Sequence, residues 1–309
     1  MVKRFAMWVL ALCFLGGTAR TPAQSISPGW GANPHEGGAT FRVWAPGATS
    51  VCVAGTFNGW NTTAHPLALE SATSGVWSAD VPGALTNHGY KYVVNGSLWR
   101  SDPRSRIIDS AHNDNSVIAP TNVFAWDGER VGITNAPDLV IYEAHVGTFP
   151  GAGGTFAAFG RRLGQLEELG ATAVEQMPIN EFPTATSWGY NPTYPFAVER
   201  GYGTPEALKD FVQTAHGHGL AVLVDVVHNH WDGGSSLWAF DGTSPGPYFY
   251  GSDPYTYTAW GPRPDYERAE VREYIDDTFR AWLDDYHVDG FRWDAPKHII
   301  YTTNGVFIP

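Results

Sequence analysis

Two short stretches of the 309-residue chain cluster ionisable side chains where apolar runs end: "DVVHNH" at 225–230 and "GFRWDAPKH" at 290–298. In an extended strand alternate side chains share a face, so Arg292 and Asp294 point to one side while Phe291 and Trp293 point to the other. The same parity aligns Ala221, Leu223 and Asp225. A guanidinium beside a partly desolvated carboxylate keeps it ionised, as a nucleophilic aspartate requires near neutral pH. The same pair equally fits a buried ion pair that only orders the strand end. Histidines crowd the end of the first stretch, which favours a functional His230. A zinc site built on His228 and His230 is disfavoured, because alternation sends them to opposite faces. Tyr190, in "SWGYNP", follows another apolar run and is read either as a loop anchor or as a flat surface on which a sugar ring stacks.

These residues need elements to hold them on one rim. "LVIYEAHVG", "ATAVEQMPI", "LAVLVDVVHNH" and "VDGFRWD" are four nearly continuous apolar runs, the pattern of strands buried on both faces. Between them lie helical patterns. One runs from Thr155 to Leu169 with Phe156, Phe159, Leu163, Leu166 and Leu169 in register, capped by Thr155 and closed by Gly170. A second starts at Thr204 and Pro205 and turns Leu208, Phe211, Val212 and Ala215 inward. A third passes through Val271, Tyr274, Ile275, Phe279, Trp282 and Leu283. Strand and helix in alternation give a doubly wound sheet or a (β/α)8 barrel, in which polar groups gather at the C-terminal ends of the strands. Asp225, His228, Asn229, His230, Arg292, Asp294, Lys297 and His298 therefore converge on one rim. The stretch from Trp231 to about Tyr266 is long and aromatic, and is expected to wall the cleft.

Ahead of this region the grammar is different. From about residue 30 to 120, short alternating runs such as "ATFRVWAP", "SVCVAGTF", "GVWSADVP" and "YKYVVNG" are separated by Gly, Pro, Asn and Asp, which indicates an all-β sandwich. Residues 121–137 read as a linker and 138–309 as the α/β domain. The first 23 residues carry Lys3 and Arg4, an apolar stretch from Phe5 to Leu15 and then small residues, the pattern of a signal peptide cleaved near Ala19 or Ala23. A lipoprotein reading through Cys13 is weaker, because bulky Leu12 stands where a small residue is needed. A secreted or periplasmic protein is expected, with no membrane association after cleavage. Only Cys52 then remains of the two cysteines, so no internal disulfide forms. A formal net charge of −12 argues against nucleic acid and anionic membranes as partners. The 13 Trp, 14 Tyr and 16 Phe exceed what a core needs and suit the binding of sugar rings.

The two signature stretches resemble the first and second conserved regions of glycoside hydrolase family 13, the α-amylase superfamily. "LVIYEAHVGTF", "GTFAAFGRRLGQLEELGATAVEQMPINEFP" and "WGYNPTYPFAVERGYGTPEALKDFV" are similar to its glucan branching enzyme and trehalohydrolase branch. "FRVWAPGATSVCVAGTFNGWN" is similar to carbohydrate-binding module family 48. The resemblance implies a multidomain β plus α/β fold: an immunoglobulin-like sandwich followed by the first half, four βα units, of a TIM (β/α)8 barrel. It implies Asp294 as nucleophile, Arg292 as its support, Tyr190, His230, Lys297 and His298 as substrate contacts, and Asp225 as a structural partner of the arginine. Asn229 matches a calcium ligand of true α-amylases, but branching-type relatives lack that ion. No metal or cofactor is therefore assigned.

The implied partner is an α-glucan such as starch, glycogen or a maltooligosaccharide. The implied reaction is retaining cleavage of α-1,4 or α-1,6 glucosidic bonds, in which a second carboxylic acid about 5 Å away protonates the departing oxygen. Lys297, His298 and the leader favour a secreted hydrolase. A branching transferase is the alternative, and a non-catalytic glucan binder is the reading from another class. The family draws its acid, a glutamate, from a fifth strand, and Glu143, Glu175 and Glu181 belong to the first two strands and their loops. The 309 residues are thus expected to be an incomplete fragment, poorly soluble, dimeric or inactive alone. For Trp60, in "FNGW", glucan contact and packing against the barrel are both open.

Overall fold

The computed structural model describes residues 29–120, 124–128, 130–131, 133, 138–251 and 257–300. The expected signal peptide and part of the expected linker lie outside these residues. Two β-sheets make the N-terminal sandwich. One holds β1 (Gly31–His35), β2 (Gly38–Trp44), β4 (Ala68–Leu69) and β5 (Val76–Pro82) in the order β1-β2-β5-β4. The other runs β3-β6-β9-β8 from β3 (Val51–Gly55), β6 (Gly89–Val94), β8 (Ile108–Asp109) and β9 (Asn115–Val117), with β7 (Leu98–Arg100) also paired to β6. All pairings are antiparallel. Phe41, Val43, Val53, Val81, Tyr90 and Tyr92 fill the space between the sheets. The immunoglobulin-like sandwich leads into the first half of a (β/α)8 barrel.

The half-barrel is a parallel sheet of β10 (Ile141–Ala144), β11 (Ala173–Gln176), β14 (Ala221–Val226) and β15 (Gly290–Trp293), adjacent in chain order. A small antiparallel pair, β12 (Asn180–Glu181) and β13 (Tyr194–Val198), leaves it after β11. Strand β14 is buried along its whole length because both faces are covered. One face meets helices: Val174, Val222, Val224 and Val226 pack with Phe156, Phe159, Leu163 and Phe211. On the other, Ala173, Ala221 and Leu223 are covered by Val131, Ile133 and Leu139. Each fully buried Leu, Val or Phe contributes about 1.5–3 kcal/mol relative to exposure, so helices and sheet are held mainly by this double burial.

The Thr155 and Thr204 hydroxyls accept from the Ala158 and Ala207 amides, capping α1 (Phe156–Gly160) and α3 (Pro205–Gly217). The single helix expected over 155–169 is in fact two, α1 and α2 (Leu163–Leu169). Between them Arg162 flattens to φ −109° and ψ −1°, and its amide closes a tight turn onto the Phe159 carbonyl. The break lets Phe156, Phe159, Leu163 and Leu166 all face the sheet and turns Leu169 out to 69% exposure. Helix α4 (Ala269–Arg280) continues as a wider π turn over Ala281–Asp285, and α5 (Lys297–Ile300) follows β15.

The aromatic connection between β14 and α4, expected to wall the cleft, does so only in part: Trp260 lies on the rim. Trp231, Phe240, Tyr248 and Phe249 do not wall a cleft but are buried in the same core as the sandwich and the inner face of α4. Hydrogen bonds fix this union: Gly47 donates to Asp241 at 2.7 Å, Arg100 to the Ala239 carbonyl at 2.8 Å, and Tyr274 to the Pro103 carbonyl at 2.8 Å. Arg104 pairs with Asp277, and Arg106 with Asp285 at 2.8 Å. Among the described residues no helix is long and apolar enough to cross a membrane.

Candidate active site

The site grows from the C-terminal ends of β14 and β15, whose register sets Asp225 against Arg292. Both point to the face away from the helices. Phe291 and Trp293 point the other way, onto Phe279, with ring centroids 4.8 and 4.7 Å apart. One guanidinium nitrogen of Arg292, Nη1, reaches both Asp225 oxygens at 3.0 and 2.9 Å and Asp294 Oδ1 at 2.9 Å. The ladder extends one residue past β15, as the Asp294 amide donates to the Val226 carbonyl at 3.0 Å. Ala295 then takes φ +39°, which turns the chain sharply into α5.

Asp225 has no exposed side-chain surface, whereas Asp294 keeps 19% and Arg292 43%. Burial pushes the Asp225 carboxyl up to about 6, although the Tyr190 hydroxyl, 2.8 Å away, and Arg292 pull it down. Burial acts on Arg292 in the opposite sense to its partners, and the hydrogen bonds and charges of Asp225 and Asp294 win, raising it above the ordinary arginine value. Burial and the Asp225 hydrogen bond likewise push the Tyr190 hydroxyl up, so it stays a donor.

The far side of Asp294 is held by Asn229. Its amide nitrogen donates to Asp294 Oδ2 at 2.9 Å and to the Asp294 carbonyl at 3.0 Å, and its oxygen lies 2.6 Å from His230 Nδ1. Its nitrogen engages Asp294 and its oxygen lies against His230, so Asn229 fits an ordering role for Asp294. His230 Nε2 sits 2.8 Å from the Tyr190 carbonyl. Two acceptors thus face this ring. A neutral imidazole serves one and a protonated one serves both. Burial dominates and lowers the His230 pKa despite those acceptors and the nearby carboxylates. His228 faces the opposite way, accepting from Trp231 Nε1 at 3.3 Å and donating to Thr278 Oγ1 at 3.2 Å. Burial pushes it down to about 3, so it is a neutral core residue.

Two matches carry the family. The carbohydrate-binding module 48 (isoamylase N-terminal domain) model covers residues 29–109, and the alpha amylase catalytic domain model covers 111–244. The chain belongs to the α-amylase superfamily. It is 35% identical over 283 residues to a malto-oligosyltrehalose trehalohydrolase of Saccharolobus solfataricus, a match covering 88% of the chain and 48% of that protein. It is 35% identical over 287 residues to a 1,4-alpha-glucan branching enzyme of Rhodospirillum rubrum, covering 85% and 38%. A crystal structure from Salmonella typhimurium, provisionally described as an alpha amylase, superposes with a TM-score of 0.74 at 32% identity, over 87% of this chain and 44% of that one. The chain spans about half the length, or less, of the relatives it matches.

Within this superfamily member, Asp225, Arg292, Asp294, Asn229, His230 and Tyr190 form one hydrogen-bonded group. Lys297 is exposed at the start of α5, and His298 is half-buried one residue on, its carbonyl accepting from Arg263 at 2.6 Å. Burial lowers the His298 pKa, helped by the Lys297 and Arg263 charges. Glu143 and Glu175 were placed by sequence in the first two strands, and their carboxylates lie within 4.8 Å of each other and of Asp225. Burial raises Glu175, with the Asp225 and Glu143 charges adding to it. The register sets both level with Leu223 and Gly290, two residues below the Asp225–Arg292 pair. One rim residue was not singled out from sequence: Trp260, whose ring centroid is 5.8 Å from that of His230 and 5.5 Å from that of His298.

Proposed function

We propose that the chain carries the nucleophile half of an α-glucan-active, retaining glycosidase or glucanotransferase site. The observation that supports this most is the Arg292 guanidinium shared between a fully buried Asp225 and a partly exposed Asp294. Asp225 anchors the cation, and the cation stabilises the carboxylate that is open to the cleft. In this reading an Asp294 oxygen attacks the anomeric carbon of a glucosyl unit as the bond from that carbon to the leaving oxygen breaks, while a second carboxylic acid supplies the proton. Tyr190 and His230 brace the site beside the attacked ring, and Lys297 and His298 face the leaving side.

The glutamates of the first two strands and their loops suit the acid role poorly. Glu143 and Glu175 stand four residues below Asp294 in register, beneath the Asp225–Arg292 layer, with their carboxylates gathered within 4.8 Å of Asp225. A retaining pair is separated by about 5 Å. Glu181 is buried in an ion pair with Arg200. We infer that this chain alone binds glucan without completing hydrolysis.

The sandwich supports a second glucan contact. Trp60 lies against Trp99, ring centroids 6.1 Å apart, over Cys52, Ala54 and Val93 on its own sheet. This indole pair is open to solvent, with Trp99 41% exposed. We further propose that the leader-like N-terminus directs the protein out of the cytoplasm.

Incubation with amylose tests the reading. Co-sedimentation without new reducing ends is expected, and Trp60→Ala should weaken it. New reducing ends would mean hydrolysis by this chain and overturn the acid argument. Loss of iodine colour without reducing ends would favour the branching alternative, which the similarity to branching enzymes keeps in view. Absence of co-sedimentation would contradict glucan binding altogether.

A further inference from the structure

Beneath the Asp225–Arg292 layer the inner face of the parallel sheet gathers acid. The carboxylates of Glu143 on β10, Glu175 on β11 and Asp225 on β14 lie within 4.8 Å of one another. Among the described residues the cation that meets this group is Arg292, whose Nη1 reaches both Asp225 oxygens and Asp294 Oδ1. One guanidinium thus stands against four carboxylates. With all of them ionised, the three neighbours would repel one another in a space partly screened from water. The favoured state of such a group carries a proton.

Hydrogen bonds decide which carboxyl holds it. Both Asp225 oxygens accept from Arg292, and Oδ2 also accepts from the Tyr190 hydroxyl at 2.8 Å, contacts that favour the charged form. Glu143 is exposed on the edge strand β10, where water stabilises its charge. Glu175 lies half-buried on the strand between them, facing the charges of Glu143, Asp225 and Arg292. Burial raises its pKa, the two carboxylates add to the rise, and Arg292 opposes it. We propose that Glu175 is a positioning residue that holds a proton at neutral pH, so that Asp225 anchors Arg292 and the guanidinium stays shared with Asp294. Loss of that proton places a second anion beneath the arginine and draws it down from the attacking carboxylate. Glu175 acts through Asp225 and Arg292 and touches no reacting atom. Its effect on rate rests on the nucleophile reading of Asp294, whereas the proton itself does not.

Two measurements on the full chain test this. The first is infrared difference spectroscopy at neutral pH with isotope-labelled glutamate, which moves the glutamate bands away from those of aspartate. Glu175→Gln should lose one protonated-carboxyl band from the labelled set, and Glu143→Gln should lose none. Should Glu175→Gln fail to fold, Glu175→Asp removes the same labelled band. The second is the rate at which α-maltosyl fluoride esterifies Asp294, followed by mass spectrometry. In the parent it should fall about tenfold as pH rises from neutral into the alkaline range. Glu175→Gln, which cannot ionise, should abolish that fall, and Glu175→Asp, which can, should keep it. A band that survives in Glu175→Gln, or one lost from Glu143→Gln instead, would overturn the assignment of the proton and leave the nucleophile reading standing. Identical pH slopes in the parent and Glu175→Gln would overturn the coupling to Asp294. Tight calcium or magnesium binding that Glu175→Gln abolishes would also overturn the proposal, giving a cation the place assigned to the proton. Ester formation in no variant and not in the parent would overturn the positioning role and the nucleophile reading together.

Discussion

Asp225 is the residue on which the site's electrostatics turn, and its burial has a pH signature. Its folded value of about 6 is above the ordinary aspartate value, so the folded state holds its proton more tightly than the unfolded chain does. The stabilisation this gives is fully present below about pH 4 and is lost as pH rises through about 6. Relative to Asp225→Asn, the wild-type chain should therefore lose up to about 3 kcal/mol between those limits and nothing more above them. Urea unfolding of both proteins at several pH values checks this, and a constant difference would contradict it. Arg292→Ala strands Asp225 without its cation and should cost about 2 kcal/mol at pH 7, discounted because the guanidinium is half exposed. Arg292→Lys should recover only part, since an ammonium is more strongly hydrated than the guanidinium whose Nη1 meets both carboxylates. Strand parity made the Arg292, Asp294 and Asp225 alignment legible in the sequence, because alternation needs no tertiary information. Trp260 was not legible, because its place depends on a turn and on Gly261, where a Cβ would lie 2.6 Å from the Trp231 carbonyl oxygen.

At the scale of elements, the strands and the two capped helices were legible because apolar periodicity and threonine caps act locally. The break at Arg162 and the burial of the aromatic connection were not, since both are set by what the segment packs against. Tyr190 depends on such a setting. Gly189, just before it, has φ +87°, and a Cβ there would lie 2.4 Å from the Pro178 carbonyl oxygen. Gly189→Ala should cost about 1–3 kcal/mol and displace the Tyr190 hydroxyl from Asp225. A urea midpoint matching the wild type would contradict this close approach. Glu143 and Glu175 show the limit of parity: it puts them on the inner face of the sheet, but only the register puts them below the arginine layer.

At the scale of the molecule, the sandwich and the half-barrel share one hydrophobic core through the aromatic connection and α4. They should unfold together, so calorimetry should show a single transition, and two separated ones would contradict the shared core. The edges of the parallel sheet have a different consequence. Among the described residues β10 and β15 each pair on one side, and Ile141 is 47% exposed. Such edges recruit other strands, so the chain is expected to self-associate with rising concentration in size-exclusion chromatography. The most direct test of the site is mass spectrometry after incubation with an α-maltosyl fluoride, whose leaving group needs no proton from an acid. The Asp294 carboxylate should attack the anomeric carbon and expel fluoride, leaving a maltosyl ester on the peptide that contains Asp294 and none in Asp294→Asn. No adduct, or an adduct on another residue, would contradict Asp294 as the nucleophile.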